Sequence, residues 1–164
     1  MPHTRPTTDM AKEGLFNIIE NNFDSLDIKT LDLFGGTGSI SYELASRGVT
    51  DLTIVEKDPV MAGFIQKTAA EYRLKNFKVV RQDVFKWMEQ CTEQFDFIFA
   101  GPPYALQTID KLPELVAQKS LLKPRGWFVL EHTPRNSYEG YALYATMRKY
   151  GTTVFSIFIN RVAE

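Results

Sequence analysis

Histidine and cysteine are scarce: the 164-residue chain has two histidines and one cysteine, Cys91. A single cysteine excludes an internal disulfide, and this ligand supply leaves no metal-binding spacing, so no metal is expected. Long hydrophobic runs are missing as well. No stretch approaches the ~18 consecutive apolar residues of a membrane span. The opening Met1-Pro2-His3-Thr4-Arg5 does not read as a secretory leader. A soluble, cytoplasmic protein with no membrane partner is the expectation. Charge of one sign is also lacking, since 19 basic and 20 acidic residues leave a net charge of −1. A stand-alone nucleic-acid binder draws most of its affinity from phosphate neutralisation, so this balance argues mildly against one. Lys67, Arg73, Lys75, Lys78, Arg81 and Lys86 form a local basic strip. Its simplest reading is a solvated face.

What remains is ordinary globular composition, 44% hydrophobic and 24% charged, in a length that fits one domain over residues 1–164. The pattern alternates strand and helix, which predicts one α/β domain around a mostly parallel sheet. Apolar Ala11, Leu15, Ile18 and Ile19 share one helical face, predicting a helix over 9–22 with Thr8 or Asp9 as its cap. Strands are predicted at 30–34, 52–56, 77–80, 95–100 and 127–131. Further helices are predicted at 39–47, from Asp58-Pro59 onward, and near 109–118. The tail, 143–149 and 153–159 around Tyr150-Gly151, reads as an antiparallel hairpin.

Asp32-Leu33-Phe34-Gly35-Gly36-Thr37-Gly38 lies between a strand and a helix. Glycines there let backbone approach a ligand, and the helix N-terminus offers free N–H groups. Glu56 ends the second strand, where a carboxylate typically accepts from both hydroxyls of a ribose. Asp83 follows the third strand, within reach of an adenine. A dinucleotide fingerprint wants a third glycine at position 41, which is Ser41. An acid before the glycines, Asp32, suits a cation such as a methionine amino group. S-adenosyl-L-methionine is therefore the better ligand. His132 reads as a structural histidine, and the many phenylalanines read as core.

Several ordered motifs make the chain resemble a class I methyltransferase of the RsmD-like family, which methylates a guanine N2 of small-subunit ribosomal RNA. They are Asp32-x-Phe34-x-Gly36-x-Gly38, Glu56, Asp83, a Pro-Pro-aromatic turn after the fourth strand, Arg5-Pro6-Thr7-Thr8-Asp9, Lys12-Glu13, Leu15-Phe16-Asn17, Ser46-Arg47-Gly48 and Val55-Glu56-Lys57-Asp58. The resemblance implies a Rossmann-like seven-stranded sheet with one reversed strand. It implies cofactor contacts from Asp32, Phe34, Gly36, Gly38, Glu56, Lys57, Asp83 and Val84, and substrate contacts from Arg5, Thr8 and Glu13. Family members carry a further N-terminal basic hairpin, which this sequence is expected to lack.

The catalytic turn is Gly101-Pro102-Pro103-Tyr104, where the family has Asp or Asn first. An exocyclic amine is a poor nucleophile because its lone pair is delocalised, and oxygen acceptors on its hydrogens favour attack. Pro102 keeps its carbonyl and Tyr104 can stack on a flipped base, but Gly101 contributes no side chain. The site is expected to be one acceptor short. The expected partner is ribosomal RNA or the small ribosomal subunit. Two alternatives are an N6-adenine methylase and a cofactor-binding assembly factor without turnover.

Overall fold

The computed structural model describes residues 8–73 and 76–162. Arg5 lies outside them. Helix α1 spans Asp9–Asn22; Thr8 caps it, its hydroxyl accepting from the Ala11 N–H at 3.3 Å. Strand β1 (Lys29–Leu33) leads through the glycine loop into α2 (Ser39–Ser46). Strand β2 (Asp51–Val55) leads into α3 (Pro59–Glu71), where Asp58 caps the helix and Pro59 opens it. Strands β3 (Phe77–Val80) and β4 (Phe95–Ala100) are joined by a helix absent from the sequence reading, α4 (Val84–Gln90). Asp83 caps it, accepting from the Lys86 N–H at 3.1 Å, and Val84 and Met88 are its buried residues. Seven residues are too few for a clear periodic stripe.

Helix α5 (Lys111–Gln118) precedes the 11-residue strand β5 (Leu122–His132). The expected start of β5 at Trp127 is therefore too late. Leu122 pairs with Phe95 and Trp127 with Phe97, so the polar Lys123-Pro124-Arg125-Gly126 stretch bulges between two paired points. Strands β6 (Tyr144–Tyr150) and β7 (Thr153–Ile159) form the tail hairpin.

The sheet order is β3-β2-β1-β4-β5-β7-β6. Strand β7 runs antiparallel to both neighbours, and the other described pairs are parallel. This is the seven-stranded, Rossmann-like sheet with one reversed strand that the family resemblance implies, and its β6–β7 pair is the antiparallel hairpin read from the residues. Alternation along the strands feeds two cores. Phe97 and Phe99 pack with Leu15, Phe16, Leu44 and Val129 beneath α1 and α2. Ile98 and Ala100 pack with Met88, Leu112 and Val116 beneath α4 and α5. Strand order reverses between β1 and β4, and open α/β sheets bind ligands in the crevice beyond such a switch point.

Candidate active site

Two turns leave the sheet at that crevice. The first follows β1. Phe34 takes a left-handed backbone, φ 62°, a costly conformation for a bulky residue. Its N–H and that of Gly35 both donate to the Val55 carbonyl, at 3.0 and 3.2 Å. Gly38 is also left-handed, φ 83°, and a Cβ there would lie 2.9 Å from the Tyr42 ring. The left-handed dihedral favours glycine at that position, and a side chain there would also displace the Tyr42 ring.

Glu56 holds the loop from the neighbouring strand. One carboxylate oxygen accepts from the Gly36 N–H at 2.8 Å and the other from the Asp58 N–H at 2.9 Å. A carboxylate offers about four lone-pair sites, so two backbone donors fix its orientation and leave acceptor capacity for hydroxyl groups.

A cavity of about 550 Å³ opens beside it, lined among others by Phe34, Glu56, Lys57, Asp83, Gly101 and Pro103. Six of the predicted site residues, from four separate stretches of chain, thus face one space. Met61, Phe85 and Leu106 complete its apolar wall, with Phe85 edge-on to Phe34 at 6.3 Å. The sequence reading missed those three, since single apolar residues on loops and helix starts carry no motif.

The remaining predicted residues sit elsewhere. Asp32 is buried, 2% exposed, and its carboxylate accepts from the Ser41 hydroxyl at 2.8 Å. Burial pushes its carboxyl up to about 7; the Ser41 bond opposes this, and the nearby Glu56 charge adds to it. Gly36 reaches the site through its bond to Glu56. Val84 and Pro102 are buried. Thr8 is engaged as the α1 cap, and Glu13 is exposed on that helix. His132 is buried, with Nε2 2.7 Å from the Ser156 hydroxyl and Nδ1 2.7 Å from the Thr133 carbonyl oxygen. Desolvation lowers its pKa, as befits a structural histidine.

Tyr104 is half-buried, and its hydroxyl donates to Glu131 at 2.7 Å. Glu131 itself is 2% exposed. Among the described residues no cluster of three or more metal-ligating side chains occurs, and no helix is long and apolar enough to cross a membrane.

The family model described as Conserved hypothetical protein 95 matches residues 1–159. The chain belongs to this family. YlbH of Bacillus subtilis (strain 168) is 33% identical over 133 residues, covering 79% of this chain and 71% of that protein. Ribosomal RNA small subunit methyltransferase D of Escherichia coli (strain K12) is 28% identical over 130 residues, covering 79% of this chain and 62% of that protein. Among solved structures, yhhF from Escherichia coli superimposes with a TM-score of 0.85 at 21% identity, covering 99% of this chain and 90% of that one. The likeness in structure carries the fold alone: a seven-stranded, Rossmann-like sheet with one reversed strand. The chain is RsmD-like, as its motifs imply.

Proposed function

We propose that the chain methylates the exocyclic N2 amine of a guanine in small-subunit ribosomal RNA, with S-adenosylmethionine as methyl donor. Family membership supports the coarser statement, an S-adenosylmethionine-dependent methyltransferase acting on ribosomal RNA. One observation supports the finer reading: Glu56 lines the same cavity as Gly101 and Pro103, two residues of the Gly-Pro-Pro-Tyr turn.

The residues present fit the cofactor. A volume of about 550 Å³ lies in the ~300–1,000 Å³ range of small-molecule sites. In our reading Glu56 accepts from the ribose hydroxyls while its backbone bonds keep it aimed. Phe34, Met61, Phe85 and Leu106 supply apolar faces for an adenine ring, and Asp83 supplies an acceptor at its edge. The bound cofactor supplies an electrophilic methyl on a sulfonium. The Pro102 carbonyl accepts from the target amine, and Tyr104 offers its ring to the flipped base. Rate then comes from in-line placement and from acceptors on the amine hydrogens.

Transfer of labelled methyl to small subunits from cells lacking the modification, followed by mapping of the labelled base, tests this. N2-methylguanine is expected. Label on an adenine N6 would replace the proposed target, and no label on either base would leave only cofactor binding.

A further inference from the structure

The stretch between β4 and α5 carries the Gly101-Pro102-Pro103-Tyr104 turn, and Leu106 of the cavity wall follows it. Parallel pairing of β4 with β5 brings this stretch alongside the end of β5 and the loop after His132. Two tyrosine–carboxylate hydrogen bonds cross between these segments, in reciprocal directions. Near the turn, Tyr104 donates to Glu131 at 2.7 Å. At the far end, Tyr138 of the β5–β6 loop donates to Asp110 at 2.9 Å. Asp110 stands at the N-cap of α5, where an aspartate ordinarily accepts from N–H groups of its own helix. It makes no such bond, and its carboxylate takes the Tyr138 hydroxyl instead.

The donor is held firmly. Tyr138 is 1% exposed, with the rings of His132, Tyr141 and Phe158 edge-on to it at 5.0, 5.1 and 6.1 Å. Burial first, and then the bond to Asp110, raises its hydroxyl pKa above the ordinary value, against a smaller opposing contact with Asn136. The proton therefore stays on Tyr138 and is donated. Ile109 buries the same stretch in the α4–α5 core, but apolar burial is non-directional. The hydrogen bond is directional, so it sets where the stretch lies against β5 and its loop. We infer that Tyr138 is a positioning residue for methyl transfer: through Asp110 it fixes the stretch that holds the Pro-Pro-Tyr turn and Leu106. This rests on the amine-methylation reading above. Neither Tyr138 nor Asp110 lines the cavity. They act through the place of the Pro102 carbonyl and the Tyr104 ring, and small errors of placement cost rate.

The test is single-turnover methyl transfer to unmodified small subunits at saturating cofactor, with subunit concentration varied to separate maximal rate from half-saturation. It compares the wild type with Tyr138→Phe, Asp110→Ala, Asp110→Asn and the double variant Tyr138→Phe/Asp110→Ala. Tyr138→Phe keeps the ring and its packing. It should lower the maximal rate about 3–10-fold, the scale of one hydrogen bond, and leave half-saturation within about twofold. Asp110→Ala should match it, and the double variant should lose no more than either single change, since all three remove one bond. Asp110→Asn keeps an oxygen acceptor and should stay within about twofold of wild type. Amides of residues 104–110 should exchange faster with solvent in Tyr138→Phe, well below its melting temperature. A purely structural role would lower Tm and leave the rate of the folded molecules unchanged.

Wild-type rates in Tyr138→Phe and Asp110→Ala would overturn the inference while an active wild type keeps the amine-methylation reading intact. So would losses that multiply in the double variant, which would mean that the two residues act separately. An Asp110→Asn variant as slow as Asp110→Ala would also overturn it, because the charge and not the bond to Tyr138 would then matter. A wild type that methylates neither base overturns the amine-methylation reading itself, and the inference with it.

Discussion

A carboxyl held at about 7 inside the sheet makes Asp32 a source of pH dependence. Its pKa in the unfolded chain is near the ordinary 3.8, so folding favours the protonated form. The stabilisation is complete below about pH 4 and is lost as pH rises through about 7. A rise of that size corresponds to roughly 4 kcal/mol at most. Asp32→Asn removes the charge and keeps an acceptor for Ser41. Calorimetric melting should therefore show the variant gaining on the wild type between about pH 4 and pH 8. Parallel Tm–pH curves would show that Asp32 stays ionised in the fold. At the cavity wall, Glu56 is held by two backbone N–H groups. Glu56→Ala removes the acceptor for the ribose and frees the Gly36 loop. Cofactor affinity measured by isothermal titration should fall by roughly 1.5–3 kcal/mol, the range for charge-assisted hydrogen bonds. Unchanged affinity would remove Glu56 from the cofactor site.

Among the elements, the bulge at the start of β5 is the tightest point of the described backbone glycines that meet main chain. A Cβ on Gly126 would lie 2.8 Å from the Lys123 carbonyl oxygen and 3.0 Å from that of Phe95. Backbone cannot swing aside as a side chain does, so Gly126→Ala should cost about 1–3 kcal/mol in urea unfolding. A loss below about 0.5 kcal/mol would mean that the bulge shifts freely. The same stretch shows where the sequence stops being legible. Lys123-Pro124-Arg125-Gly126 has turn chemistry, and only pairing of Leu122 with Phe95 makes it part of a strand. Helix α4 escaped for a related reason, since its two buried residues are too few to mark a period. Helix α1, by contrast, spans the predicted 9–22 because its cap and its apolar stripe agree. At the site, the glycine loop, Glu56, Asp83 and the Pro-Pro-Tyr turn were readable as motifs. Met61, Phe85 and Leu106 of the cavity wall were not, because single apolar residues on loops and helix starts carry no motif.

At the scale of the whole molecule, one sheet serves two cores, and this fixes how the chain comes apart. Strand β4 gives Phe97 and Phe99 to one core and Ile98 and Ala100 to the other. Strand β5 does the same with Val129 on one side and Phe128 and Leu130 on the other. Neither face can lose its packing while these strands keep theirs, because the same backbone hydrogen bonds carry both sets of side chains. Cooperative, two-state unfolding is the usual behaviour of single domains near this size, up to roughly 150 residues. The two tryptophans report on opposite faces: Trp87 packs against the α4–α5 core and Trp127 against the α1–α2 core. Trp127→Phe leaves Trp87 as the sole indole, and Trp87→Phe leaves Trp127. Within each variant, fluorescence and far-UV circular dichroism should give the same urea midpoint. After correction for each variant's own stability, the two indoles should report a single transition. A fluorescence midpoint that precedes the dichroism midpoint in one variant alone would mean that this face melts first. The shared strands would then fail to couple the two cores.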